Sequence, residues 1–150
     1  MLSNFQKSIY RLVKKVPDSE RKFDHFINIV RELRSENGCP WDRKQSPSSL
    51  KRYLVEETNE LLEAIDAGNH QHIKEELGDL LYIIILLAQI HSEDNTFNMN
   101  DVIEAISAKM IRRHPHVFSN EKIETVSELR KKWLEIKNSE KTHRTTPKKN

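Results

Sequence analysis

The sequence predicts an all-α fold, and three observations support this. Apolar residues recur at intervals of three and four along several segments, as in Phe23, Phe26, Ile27 and Val30, which places them on one helix face. No segment shows the alternation of apolar and polar residues that is typical of a β-strand. Only three of the 150 residues are glycine, which suits a chain of long helices. A chain of this length is expected to form one domain with its own core.

Capping residues, proline and glycine indicate where the helices begin and end. Ser46 followed by Pro47 begins the third helix and Gly68 ends it, and the very short connection there predicts antiparallel packing with the fourth. The TVSE segment at 125–128 has capping-box spacing and begins the last helix. Residues 35–47 carry Gly38 and two prolines and are expected to form a loop. The six predicted helices lie at 5–16, 19–34, 46–67, 70–91, 101–113 and from 125 onward.

Charge and cysteine content argue against several protein classes. The net charge of +2 creates no overall field that would attract nucleic acid or an acidic membrane. The single Cys39 cannot form an internal disulfide, which fits a reducing compartment. The N-terminal segment lacks the apolar core of a signal peptide, and the most apolar run, residues 80–90, is too short to span a bilayer. A cytoplasmic location is therefore the expectation.

Two pairs of acidic residues lie at core-facing positions of consecutive predicted helices. Glu57 and Glu60 are three residues apart on the third helix, and Glu76 and Asp79 repeat this spacing on the fourth. Antiparallel packing would bring the four carboxylates together, where their repulsion calls for a cation. Oxygen-only ligands with no histidine nearby favour Mg²⁺ or Mn²⁺. The pattern therefore predicts a metal site, and such a metal favours phosphate chemistry.

The acidic pattern has other interpretations. Acidic residues are common on solvated helix faces, but the repeated spacing and the apolar run after Asp79 argue against surface charge alone. A di-iron carboxylate bundle needs Glu-x-x-His on each of two helices, whereas Glu60 and Asp79 occupy those histidine positions. A non-catalytic helical adaptor could bind a partner through its amphipathic helices and basic tail, but it has no need of four converging carboxylates.

Four blocks of sequence occur in a distinctive order. E-E-x-x-E at 56–60 and E-x-x-D at 76–79 form one block, GCPWDRKQSPSSL precedes it, IRRHPHVF follows it, and WLEIKNSEK lies near the end. Together they resemble the MazG family of nucleoside triphosphate pyrophosphohydrolases over residues 22–141. The resemblance implies an all-α, four-helix-type bundle completed by dimerisation, and Mg²⁺-dependent hydrolysis of nucleoside triphosphates to monophosphate and pyrophosphate. A narrower pyrimidine deoxynucleotide hydrolase of the same superfamily is the alternative.

The resemblance also implies roles for individual acidic residues. Glu57, Glu60, Glu76 and Asp79 match the metal ligands of the family, with Mn²⁺ as a substitute for Mg²⁺. Glu56 belongs to the same motif and would assist a ligand or the attacking water. The matched blocks imply a pyrophosphohydrolase domain at 22–137. The apolar stripe before it predicts a helical extension at 1–21, and the basic, polar composition after it predicts a disordered tail at 138–150. The sequence holds one copy of this domain, whereas many family members carry two.

Basic and aromatic residues near the end of the chain match the substrate-binding positions of the family. Lys109, Arg112 and Arg113 would face the triphosphate oxygens, and Trp133 and Lys137 would contact the nucleotide. Without the resemblance, Arg112 and Arg113 would be interpreted as cations that stabilise the C-terminal end of a helix.

Three further residue types allow no single interpretation. Trp41 in the GCPWD segment would either stack on a base or fill the core of a dimer, and the second role is the commoner one for an aromatic residue. His114 and His116 supply too few ligands for a transition-metal site. Cys39 has no nearby histidine in the sequence that would activate it as a nucleophile.

Overall fold

The computed structural model describes residues 19–119 and 122–144, and within them it contains helices and no strand. This confirms the predicted all-α fold. The helix predicted at 5–16, and with it the extension at 1–21 up to residue 18, lies outside the described residues. The helices are α1 (Ser19–Leu33), α2 (Pro40–Lys44), α3 (Pro47–Asp66), α4 (His70–Glu93), α5 (Met99–Arg113), α6 (Pro115–Phe118) and α7 (Val126–Arg144).

The described chain divides into two compact units, one ending at Val102 and the other beginning at Ile103. The first unit contains α1 to α4 and the start of α5. The second contains the rest of α5 together with α6 and α7. No described helix has both the length and the hydropathy that crossing a membrane requires.

A hairpin of α3 and α4 forms the centre of the first unit. The Ser46 hydroxyl accepts a hydrogen bond from the Ser49 N–H at 3.2 Å, which caps α3 as predicted. Gly68 follows the end of α3 with φ +64°, a left-handed conformation that glycine adopts without steric strain. The Asn69 side chain then caps α4 by accepting from two backbone N–H groups. The short connection leaves the two helices packed antiparallel.

The core of the first unit lies between α4 and its neighbours α1 and α3. Val30, Leu50 and Leu86, one from each helix, are completely buried. Further side chains of α4 complete the core cluster, and these are Ile83, Ile85 and Ile90. Burying each such side chain contributes about 1.5–3 kcal/mol. The apolar run at 80–90 is therefore a buried helix, as predicted.

Residues 40–44 form the short helix α2, where the sequence had predicted only a loop. The buried Asp42 carboxylate accepts a hydrogen bond from the Tyr82 hydroxyl on α4. The Asp42 carbonyl accepts another from Arg34 at 2.5 Å, and Arg34 also forms a bidentate ion pair with Glu93 at 2.7 and 2.5 Å. These contacts fix α2 to α4 and to the end of α1. Because the partners are distant in sequence, a local pattern could not reveal this helix.

Helix α7 of the second unit is longer than expected. The Thr125 hydroxyl accepts from the Glu128 N–H at 3.2 Å, which confirms the predicted start. The helix continues to Arg144, beyond residue 138 where a disordered tail was expected to begin, and residues 145–150 lie outside the described chain. Ion pairs of Glu140 with Arg112 and Arg113 stabilise this part of the helix. The basic composition of the segment did not indicate these pairs in the sequence.

Candidate functional site

Helices α3 and α4 bring together three of the four acids that were predicted as metal ligands. One carboxylate oxygen from each of Glu57, Glu76 and Asp79 lies within 4.8 Å of the other two. Glu76 and Asp79 project from one face of α4 because they are three residues apart, and antiparallel packing places Glu57 of α3 opposite them. Glu60 lies about one turn further along α3 and is not part of this group.

Burial and mutual repulsion disfavour the ionised forms of two of these acids. Loss of solvent raises the pKa of Glu57, and the charges of Asp79 and Glu60 raise it further. Loss of solvent also raises the pKa of Glu76, followed by the charges of Glu60 and Asp79. Glu60 therefore acts on the cluster electrostatically although its oxygens lie outside it. A bound cation would reverse these effects.

One oxygen of Glu76 lacks a partner. Its Oε2 is buried and has no hydrogen bond within the described part of the chain. A buried carboxylate oxygen without a donor is unfavourable, and a cation would satisfy it. The converging atoms are all carboxylate oxygens, which are the ligands preferred by hard divalent ions. The residues present therefore fit the metal that the sequence pattern predicted.

A groove of about 650 Å³ adjoins the cluster on the side of the Gly68 turn. Glu56, Glu60 and Glu63 of α3 line it together with His72 of α4. The expectation that no histidine lies near the acids is wrong, because His72 is close enough to Glu76 to lower its pKa. The signal was present in the sequence, since His72 stands one helical turn before Glu76.

In the second unit, two of the predicted substrate-binding cations share one carboxylate. Arg112 Nε donates to Glu140 Oε1 at 2.7 Å, and Arg113 donates to Glu140 Oε2 from Nη2 at 2.5 Å and from Nε at 3.1 Å. These bonds lower the pKa of Glu140 to about 2. Sequence reasoning missed Glu140, which looks like one more charged residue in a solvated helix. Lys109 lies one turn before Arg113 on α5.

Trp133 is covered by two cations. The Arg113 guanidinium lies 5.2 Å from the centre of the Trp133 ring, and the Lys137 ammonium lies 4.7 Å from it. Cations at these distances are attracted to the face of the indole ring. The structure thus brings together Arg113, Trp133 and Lys137, three of the five residues predicted to bind the nucleotide.

Comparison with known proteins identifies the family. The family model described as the MazG nucleotide pyrophosphohydrolase domain matches residues 45–118. The crystal structure of a mazG-related protein from Thermotoga maritima matches with a TM-score of 0.65 at 32% identity, covering 77% of this chain and 98% of that one. The chain belongs to the MazG family. The segment matched by the family model contains the acidic cluster and Lys109, Arg112 and Arg113, and it ends before Trp133.

The curated relatives that match this chain are longer proteins. The nucleoside triphosphate pyrophosphohydrolase/pyrophosphatase MazG of Thermotoga maritima is 47% identical over 79% of this chain and 45% of its own length. The nucleoside triphosphate pyrophosphohydrolase of Escherichia coli K12 is 40% identical over 82% of this chain and 47% of its own. YabN of Bacillus subtilis, an uncharacterized protein, is 50% identical over 80% of this chain and 24% of its own. The chain therefore spans less than half the length of each of these relatives.

Proposed function

We propose that this protein hydrolyses nucleoside triphosphates to nucleoside monophosphate and pyrophosphate in the presence of Mg²⁺, with Mn²⁺ as a substitute. The observation that carries the proposal is the convergence of Glu57, Glu76 and Asp79 around a buried oxygen without a partner. Membership of the MazG family supports the assignment of this reaction to the cluster, because two of the relatives described above are named for the same hydrolysis. Removal of unwanted nucleotides from a cytoplasmic pool is the role that we infer.

The acids of the hairpin would hold the ion and prepare the water. Glu57, Glu76 and Asp79 would supply the converging oxygens, and Glu60 would join them as a fourth ligand through a different side-chain rotamer. When bound, Mg²⁺ neutralises phosphate charge and lowers the pKa of a coordinated water. Glu56 lies exposed beside Glu57 at the groove, where it would accept a hydrogen bond from the attacking water or assist one of the ligands.

The basic residues of the second unit would bind the substrate. Lys109, Arg112 and Arg113 neutralise the triphosphate oxygens through charge-assisted hydrogen bonds. Trp133 and Lys137 contact the rest of the nucleotide, and Arg113 already lies against Trp133. The domain proposed at 22–137 must extend at least to Glu140, because Glu140 orients both arginines.

We also propose that the protein is a homodimer or a larger homo-oligomer. Val55 and Leu62 lie seven residues apart on α3, with exposed fractions of 59% and 54%. Leu77 and Ile84 repeat this spacing on α4, with exposed fractions of 52% and 39%. Apolar side chains at such intervals form a stripe along each helix, which a second copy would cover. An active monomer at micromolar concentration in sedimentation experiments would contradict this assembly.

An assay of products tests the proposed reaction. A panel of ribo- and deoxyribonucleoside triphosphates is incubated with the protein, with and without Mg²⁺, and pyrophosphate and monophosphate are measured. We expect both products in equal amounts and only with the metal. Nucleoside diphosphate and orthophosphate as products would contradict the proposal. A complete absence of turnover would favour the helical adaptor.

A further inference from the structure

We propose that Trp41, supported by Tyr53, is the surface on which the base of the nucleotide stacks. This inference rests on the proposed function and adds to it a residue that binds the base. The evidence is the position of the exposed Trp41 and its half-buried neighbour Tyr53 on the same side of the acidic cluster, within the first unit.

Trp41 is held in place but remains accessible. Its ring centre lies 5.4 Å from that of Tyr53, and the planes meet at 71°, which is the favoured edge-to-face arrangement. Tyr53 is half-buried and packs against the core cluster, so it gives Trp41 a rigid support. Trp41 itself is 42% exposed, which is a large apolar surface for a residue fixed on a short helix.

Helix α3 places this pair next to the acids. Tyr53 stands four residues before Glu57 and seven before Glu60, so the three side chains share one helix face. The separation of Tyr53 from Glu57 along the helix axis is about 6 Å. Trp41 lies against Tyr53, with ring centres 5.4 Å apart, and so belongs to the Tyr53 end of the acidic cluster.

A contact from helix α4 independently places α2, and with it Trp41, beside the acids. Asp42, the neighbour of Trp41, accepts a hydrogen bond from the Tyr82 hydroxyl. Tyr82 stands three residues after Asp79 on α4, again about one turn from the cluster. Burial and this hydrogen bond raise the pKa of Tyr82, so its hydroxyl remains a donor. The short helix α2 is thus anchored beside the acids from both sides of the hairpin.

The two ends of the acidic cluster differ in chemistry. The groove on the Gly68 side is lined mainly by the acids Glu56, Glu60 and Glu63, and the one ring among its lining residues is the small imidazole of His72. The opposite end carries Trp41 and Tyr53, and the Arg52 guanidinium lies 4.4 Å from the centre of the Tyr53 ring. With the phosphates at the metal, the Trp41 end of the cluster offers the base an exposed indole ring on which to stack.

Stacking on an indole ring does not distinguish one base from another. Every base has an aromatic face, and stacking on a side chain contributes similarly to each of them. Trp41 would therefore raise the affinity for nucleotides in general over phosphate chains without a base. The inference predicts a broad preference among bases.

Steady-state kinetics of Trp41→Ala and Trp41→Phe test the proposal. We expect Trp41→Ala to raise KM for every hydrolysed triphosphate by roughly tenfold or more, with kcat nearly unchanged. Trp41→Phe retains most of the affinity because it keeps an aromatic face. Inhibition by inorganic tripolyphosphate, which has no base, stays the same in all variants.

Phe97→Ala is the matched control. Phe97 is 39% exposed, stacks on His91 at 4.4 Å, and lies beyond the C-terminal end of α4. The Phe97→Ala substitution removes a similarly exposed ring at a position away from the acids. The KM of this variant should therefore equal that of the wild type. A rise in KM shared by Phe97→Ala and Trp41→Ala would overturn the assignment to Trp41.

A binding measurement separates this inference from the proposed function. Intrinsic fluorescence is titrated with an α,β-methylene nucleoside triphosphate, which resists cleavage, in Trp133→Phe, where Trp41 is the one remaining tryptophan of the sequence. We expect the nucleotide to quench this fluorescence and inorganic tripolyphosphate, which has no base, to leave it unchanged. Equal responses to the two compounds overturn the stacking role, whether or not the protein is active.

Two kinetic results also overturn the stacking role while leaving the proposed hydrolysis intact. One is a KM of Trp41→Ala that equals the KM of the wild type, when the wild type is active. The other is dissociation of Trp41→Ala into monomers without a change in KM, which would place Trp41 in a subunit interface. If Trp41→Ala does not fold, the fluorescence titration of Trp133→Phe still decides.

Discussion

Glu140 binds Arg113 through a single carboxylate oxygen, Oε2, which accepts hydrogen bonds from Nη2 at 2.5 Å and from Nε at 3.1 Å. Both side chains are nearly buried, with exposed fractions of 14% for Arg113 and 15% for Glu140. The guanidinium is thereby held against Trp133. The orientation of a cation proposed to bind triphosphate is therefore set by an acid on another helix.

The Glu140 ion pairs should make stability depend on pH in acid. The pKa of Glu140 is lowered in the folded state from 4.5 to about 2, so its stabilising effect is complete above 4.5 and is lost as pH falls through 2. We expect the wild type to melt at a higher temperature than Glu140→Gln at neutral pH, with the difference shrinking below pH 4.5. Thermal melts at several pH values measure it. A difference that stays constant down to pH 2 would contradict the ion-pair origin.

Neutralising one acid of the cluster should abolish hydrolysis without unfolding the protein. Glu57→Gln and Asp79→Asn each remove a charge from the proposed metal site while keeping side-chain volume. Relief of repulsion should leave the metal-free melting temperature equal or higher, and the rise caused by Mg²⁺ should disappear. Asp66→Asn, at the exposed end of α3, is the matched control and should behave as wild type. Near-normal turnover of both cluster variants at saturating Mg²⁺ would exclude the ligand assignment.

Arg113 should act on the substrate and not on the metal. Arg113→Ala removes a cation proposed to contact the triphosphate, so kcat/KM should fall while the affinity for Mg²⁺ alone stays unchanged. Arg113→Lys should recover only part of the activity, because an ammonium cannot reproduce the two-pronged hydrogen bonding of a guanidinium. Calorimetric titration with Mg²⁺ and steady-state kinetics separate the two effects. Loss of Mg²⁺ binding in Arg113→Ala would show that the arginine supports the metal site instead.

Two glycines should respond oppositely to alanine. A Cβ atom on Gly38 would collide with the backbone carbonyl oxygens of Glu32 and Leu33, so Gly38→Ala should destabilise the fold by about 1–3 kcal/mol. A Cβ on Gly78, within α4, meets no atom within 4 Å. Gly78→Ala should therefore stabilise the helix by about 1 kcal/mol. Urea denaturation measures both, and equal effects of the two changes would contradict this explanation.

The sequence by itself determined the longer helices of the described chain and much of the acidic cluster. Ser46, Gly68 and the three-residue spacing of Glu76 and Asp79 act within one or two turns, so the helix ends and the shared face follow from local geometry. The short connection at Gly68 also required the hairpin, which places Glu57 opposite the acids of α4. These features depend on residues that are close together in the chain, so the amino-acid sequence is sufficient to predict them.

The tertiary structure decided which side chains meet. The exclusion of Glu60 from the cluster, the helix at residues 40–44 and the sharing of Glu140 by two arginines were visible only in the folded chain. Each depends on a rotamer or on a partner many residues away. Helical periodicity specifies the direction in which a side chain leaves its helix, but the packing of other elements selects the atom that it finally contacts.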